Sequence, residues 1–189
     1  MSSTIGHALC GITLLVAARS FSPRIVPGIN IWTCAVAVVL ANLPDTDFLL
    51  GYVLHGDANS LHSGPTHNLM FVAASALFVA AVFRPPWGGW RMTPLVTALI
   101  ASHVVIDGLT GKVLGWHSSY GVPFLWPFED ARYTFPFTAF LGVEHETLGR
   151  VLSLYNVKVM VIETLTWSPV LLAIWFGTHR RTLAQCAHR

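Results

Sequence analysis

Apolar residues fall into five runs along the chain: Ile5–Ala18, Ile29–Leu43, Leu69–Phe83, Pro94–Ile106 and Val157–Phe176. Polar stretches rich in Gly, Pro, Asp and His separate them. Each run predicts an apolar helix. The last is long enough to cross a bilayer alone, whereas the first four fall short of the usual ~20 residues. These extend through semi-polar flanks such as Asn42 and Ser102. Short spans also suit helix ends that line a polar cavity and thin the hydrophobic layer. The pattern predicts an all-α integral membrane bundle of about five transmembrane helices, with a soluble protein of large core as its alternative.

Composition favours the membrane. Apolar residues make up 53% of the 189 and charged residues 11%, less than half of the ~25% usual in soluble domains. The length suggests a single domain over residues 1–189. A net charge of +2 is too small to imply nucleic-acid binding. Cys10, Cys34 and Cys186 are odd in number and lack CxxC spacing. They read as small buried hydrophobes rather than as disulfides or a thiolate zinc site.

Basic residues predict the orientation. Arg19 and Arg24 follow the first run, Arg84 and Arg91 the third, and Arg180, Arg181 and Arg189 the fifth, with no Asp or Glu among them. The intervening stretches hold Asp45, Asp47, Asp57, Asp107, Glu129, Asp130, Glu144 and Glu146, together with Lys112, Arg132 and Arg150. The positive-inside rule then places the N-terminus outside and the C-terminus in the cytoplasm, as in a protein of the cytoplasmic (inner) membrane. The first run has no basic residues before it, so it reads as a retained helix rather than a cleaved signal. Residues 107–156 are too broken by Gly, Pro and polar residues to span. Their aromatic stretches, Phe124–Phe128 and Tyr133–Phe140, suit the membrane–water interface, as an extracytoplasmic lid or as an anchor.

The side chains able to bind a metal gather at the run ends of the acidic side. Ionisable groups there are costly unless they pair, meet water or bind an ion. His103 and Asp107 are four apart and share a helix face, spaced for one ion or two adjacent ions, or for a plain polar contact. Asp45 and Asp47 follow Pro44, which ends or bends the second run. Such a pair offers hard oxygen ligands, although Asp45 or Thr46 could instead cap a following helix. His62 and His67 bracket a Gly64-Pro65 turn that can bring two imidazoles together. His7 lies near the outer end of the first run, beside the others by topology. His55, His117 and His145 share that side without clear partners. Glu163, well inside the fifth run, either supports the site as an outer carboxylate or acid/base group, or pairs with Lys158.

In this order the clusters resemble the YdjM-like family of membrane-bound metal-dependent hydrolases. The resemblance runs from His7 through Leu43-Pro-Asp-Thr-Asp47 and His62-Ser-Gly-Pro-Thr-His67 to Ser102-His103, Asp107-Gly-Leu-Thr110 and Gly121-Val-Pro-Phe-Leu-Trp-Pro-Phe128. That family is distantly similar to zinc-dependent phospholipases C and single-strand nucleases, helical enzymes that cleave phosphoesters. The resemblance implies that His7, Asp45, Asp47, His62, His67, His103 and Asp107 form the metal site. The family often has His where this chain has Phe48, and Arg where it has Ser63. Residues 111–120 read as an insertion, and His117 within it is a candidate to replace a ligand or touch substrate.

The expected function is that of a membrane-bound metal-dependent hydrolase. Roughly two or three divalent ions, Zn²⁺ by the mixed His/Asp donors, would activate a water at the outer membrane face. Asp47 or Asp107 would bridge ions or accept the proton. Arg132 would bind a phosphate oxygen through its planar fork of donors, or anchor the chain at the interface. The expected substrate is a phospholipid or other lipid-linked phosphoester. Two rivals use the same residues: an ion or proton pathway, and a non-catalytic membrane protein with a structural metal.

Overall fold

The apolar runs fold as helices, and the polar residues at their ends supply the caps. A computed structural model describes residues 1–83 and 89–187. Arg84 and Arg189, two of the basic positions behind the expected orientation, lie outside the described residues. Helix α1 (Thr4–Phe21) starts at Ser3, whose hydroxyl accepts the Gly6 N–H. Helix α2 (Ile31–Ala41) opens with a reciprocal cap: the Asn30 side chain accepts from the N–H groups of Trp32 and Thr33, and Thr33 accepts the Asn30 N–H.

Beyond α2 the chain does something the apolar pattern did not predict. Pro44 has no N–H to continue a helix, and a single 3-10 turn, Leu43–Asp45, follows Ala41. A further apolar helix, α3 (Thr46–His55), then leaves at a 60° bend from α2. Gly56, at φ +71°, ends it in the left-handed conformation that glycine tolerates best. Helix α4 (Leu69–Val82) is capped by Asn68 and pairs with α5 (Thr93–Gly108). After an irregular segment come a single turn, α6 (Leu148–Val151), and the long α7 (Leu154–Ala187).

Helix α1 is the hub and packs against α2, α5 and α7. Its approach to α2 depends on Gly11. A Cβ there would stand 2.8 Å from Ala41 Cβ and 2.9 Å from the Ala37 carbonyl oxygen. Small residues let apolar helices approach backbone to backbone. Leu15, Ala37, Val96, Leu99 and Ile100 fill the centre of the core. Large apolar side chains also face outward, among them Trp32, Leu54, Phe78 and Leu165.

The fold is mainly helical, as expected. Helix α1 and the Leu154–Thr178 part of α7 are long and apolar enough to cross a membrane, and α2 with α3 forms a third candidate if the bent pair is one span. Helices α4 and α5 are apolar but shorter.

The segment between α5 and α6 is a tied cap. Strand β1 (Thr110–Gly111) pairs in parallel with β2 (Phe140–Leu141), Thr110 opposite Phe140. Bridges between Gly115 and Thr138 and between Val122 and Tyr133 close the loops within it. Both ends of the cap are thereby fastened beside the C-terminal turn of α5, and Asp107 sits in that turn rather than in the irregular segment.

Candidate metal centre

Five chain elements deliver polar side chains to one place. His7 comes from the start of α1, Asp45 from the 3-10 turn, Asp47 from the first turn of α3, His62 and His67 from the loop before α4, and His103 and Asp107 from the end of α5. All seven expected ligands converge. Each takes part in at least one His–Asp contact of 3.7 Å or less.

The innermost point has a definite shape. His67 Nε2 and His103 Nε2 stand 3.2 Å apart. Asp107 Oδ2 is 3.4 Å from the first and 3.3 Å from the second. Asp45 Oδ1 is 3.7 Å and 3.3 Å from the same two atoms. Four N/O ligands held at ~2.0–2.1 Å around a tetrahedral cation are separated by about 3.3 Å. The triangles His67–His103–Asp107 and His67–His103–Asp45 therefore both have nearly the edge lengths such an ion requires. Asp45 Oδ1 and Asp107 Oδ2 are buried and have no hydrogen-bond partner. Unpaired buried carboxylate oxygens are costly, and a cation at this point would satisfy both.

The remaining atoms of these side chains fix the geometry. His103 Nδ1 donates to the Ala41 carbonyl at 2.8 Å, which turns its Nε2 lone pair toward the centre. His67 Nδ1 lies 3.1 Å from Asp47 Oδ2. A carboxylate behind a histidine in this way sets the tautomer and ring orientation. Asp47 is itself well held: Oδ2 accepts from the Ser63 N–H at 3.1 Å and the Thr66 hydroxyl at 2.9 Å, while Oδ1 meets His62 Nδ1 at 3.1 Å. Of the two neighbouring carboxylates, Asp45 thus presents an unpartnered oxygen to the centre, and Asp47 grips two imidazoles.

Three overlapping groups can each hold an ion: Asp45–His67–His103, His7–His103–Asp107 and Asp47–His62–His67. His7 is fully buried, stacks on His103 with ring centroids 3.7 Å apart, and has no hydrogen-bond partner on either nitrogen. In the loop before α4, burial works against a charge on His67. The carboxylates of Asp107, Asp45 and Asp47 outweigh it and hold the His67 pKa well above the ordinary histidine value.

A support for the centre that the sequence did not reveal comes from the start of the chain. The Ser2 N–H donates to Asp107 Oδ1 at 3.0 Å. Glu163, from the middle of α7, accepts from both the Ser2 and Ser3 hydroxyls and from the Ser3 N–H. It reaches the cluster through these serines, and they, not Lys158, are its partners. A Cβ at Gly6 would fall 2.7 Å from Glu163 Oε2, so this glycine makes room for the carboxylate.

The outer rim is aromatic and open. Phe48 stacks on His62 at 3.7 Å, and His145 meets His62 edge-on at 4.9 Å. His145 Nδ1 lies 2.7 Å from Asn59 Oδ1. Burial, and to a lesser degree the neighbouring His62, lower its pKa. His145 looks solvated in sequence because two glutamates flank it. Two cavities open here, of about 310 and 690 Å³, and both are lined by His62 and His145. Arg132 lines the larger one and donates to the carbonyls of Ser63, at 3.2 Å, and Gly121, at 2.9 Å. His117 is exposed in the loop after β1 and takes no part in the contacts of the cluster.

The family model described as YdjM inner membrane protein matches residues 1–183, and the chain belongs to that family. No curated protein and no solved structure matches it.

Proposed function

We propose that this inner membrane protein is a metal-dependent hydrolase that cleaves a phosphoester of a lipid or other membrane amphiphile. The observation that carries the reading is that two unpartnered carboxylate oxygens, of Asp45 and Asp107, each stand within 3.7 Å of both His67 Nε2 and His103 Nε2, beside two cavities. His67, His103, Asp45 and Asp107 would hold the first ion, with His7 and His62 extending the site toward a second. Zn²⁺ fits the mixed imidazole and carboxylate donors. Bound there, it would supply Lewis acidity and lower the pKa of a water.

The chain's own residues would do the rest. Asp47 and the Ala41 carbonyl hold the two central imidazoles in register. Asp45, 19% exposed and lining the smaller cavity, is placed to take a proton from water entering there. Ser2 fixes one oxygen of Asp107 and leaves the other for the centre. Arg132 would meet the anionic end of the substrate.

In the membrane, α1, α2, α4, α5 and α7 would make five spans, with the N-terminus, the cluster and α3 on the extracytoplasmic side. The division of Arg from Asp and Glu along the chain supports that orientation. A phosphoester as the scissile group fits Arg132 at the larger cavity, whose guanidinium is suited to a phosphate oxygen.

The test is metal content and turnover of phospholipid phosphoesters, measured on detergent-purified wild type, His103→Ala and Asp45→Asn. Zinc bound to the wild type and lost with turnover in both variants is the expected result. Wild-type protein that takes up no divalent metal would overturn the reading and favour an ion pathway.

A further inference from the structure

The two cavities meet at the cluster but differ in chemistry. Asn59, His62, Val143 and His145 line both. Away from that border, the smaller cavity is walled by Phe48, Ala58, Val151 and Met160. Apart from Asp45, which faces the cluster, several of its polar lining groups are already committed inside the protein. The Ser2 and Ser3 hydroxyls go to Glu163. The Asn156 amide donates to the carbonyls of Glu144, Arg150 and Val151, and its oxygen accepts the Glu144 N–H. What the cavity offers a ligand is largely apolar surface.

The larger cavity carries charge. Arg150 lies 3.8 Å from Glu144 and 3.2 Å from Glu146, so it offsets one of these two carboxylates and the trio keeps one negative charge, which Lys112 and Arg132 together exceed. Lys112 and Arg132 line the same space, and among the described residues neither has a carboxylate partner. Two backbone carbonyls hold the Arg132 guanidinium, which leaves further N–H donors for a ligand. A positioned guanidinium and an ammonium lining one cavity can seat a phosphate-type anion.

We propose that the two cavities form one bipartite substrate seat: Lys112 and Arg132 hold the phosphate head of a single-chain or diacyl amphiphile, and the cavity walled by Phe48 and Met160 takes the first part of its chain. The ester linkage then lies at the border, beside His62 and the cluster. This rests on the hydrolase reading for the fate of the ligand, but not for its binding. It makes the anionic head the specificity-determining feature and leaves neutral-headed lipids as poor ligands.

The experiment is a calorimetric titration of metal-loaded protein in maltoside detergent. The probes are dodecyl phosphate and inorganic phosphate, and the proteins are wild type, Lys112→Gln, Arg132→Gln and Met160→Trp. Dodecyl phosphate is expected to bind the wild type, and to bind Arg132→Gln at least about tenfold more weakly. Lys112 is exposed and has no ion-pair partner among the described residues, so Lys112→Gln leaves the fold intact and should weaken binding about threefold. Met160→Trp, which fills the apolar cavity, should lower the affinity for dodecyl phosphate to that for inorganic phosphate. Equal affinity of the wild type for the two probes would mean that free phosphate is the ligand, and would overturn the chain-binding half. Unchanged affinity in both Lys112→Gln and Arg132→Gln would overturn the anion seat. Because binding is the readout, loss of the hydrolase reading shows separately, as bound dodecyl phosphate with no turnover of any ester.

Discussion

The inner and outer halves of the cluster are built on opposite principles. His7, His103 and Asp107 come from α1 and α5, the helices at the centre of the core, and are almost wholly buried. Yet both nitrogens of His7 and one oxygen of Asp107 lack hydrogen-bond partners. Asp47, His62, His145 and Asn59 come from the start of α3 and from loops, and they bond to one another at the mouths of two cavities. The inner half is buried and unsatisfied, and a cation there would offset its burial. The outer half is more nearly satisfied, with only His62 Nε2 left unpartnered, and it is accessible, so it orients rings and meets ligands. Core helices thus carry the electrostatic demand, and loops carry the access.

The sharpest way to break this contrast is Asp107→Ala, which removes the one carboxylate among the described residues that lies within 3.4 Å of His7, His67 and His103 alike. Bound metal and hydrolysis should both fall by more than about 100-fold. Elemental analysis that finds full metal occupancy in this variant would show that the inner half is not the ligand set. Asp47→Asn acts one layer out, since it weakens the grip on His62 and His67 without touching the centre. Metal affinity should drop about 10- to 100-fold, as chelator competition would measure, while thermal stability of the metal-loaded protein changes little.

Proton competition separates the halves further. The His67 pKa is raised in the folded, metal-free protein. The stability it contributes is therefore fully present below about pH 6.5, the unfolded value, and is lost as pH rises through the folded value. A cation must displace that proton. Metal affinity should accordingly climb by up to about tenfold per pH unit across the same window, and a flat profile would place His67 outside the ligand set. Glu163→Gln should cost less, about three- to tenfold in turnover, because it loosens Ser2 and Ser3 and only through them Asp107. Restoration of turnover by Glu163→Asp would argue for a requirement for the charge. The smallest effect belongs to His117→Ala, expected within about twofold of wild type because the ring stands exposed and apart.

Much of the centre was legible because its signals are local. Apolar runs mark α1, α2, α4, α5 and α7, and the i,i+4 spacing of His103 and Asp107, the proline before Asp45 and Asp47, and the turn between His62 and His67 mark the ligands. A ligand needs only the right side chain near a helix end, and short-range spacing encodes that. Where each side chain points is a different matter. The 60° bend that makes α3 a separate helix, the division of labour between Asp45 and Asp47, the bond from Ser2 to Asp107 across 105 positions and the meeting of Asn59 with His145 across 86 depend on how distant elements close on one another. Sequence alone determined which residues could bind a metal and that they sit in an apolar helical protein. The tertiary structure decided which atoms are left unpaired and where they converge, because burial and hydrogen-bond satisfaction are properties of the packed chain, not of any stretch of it.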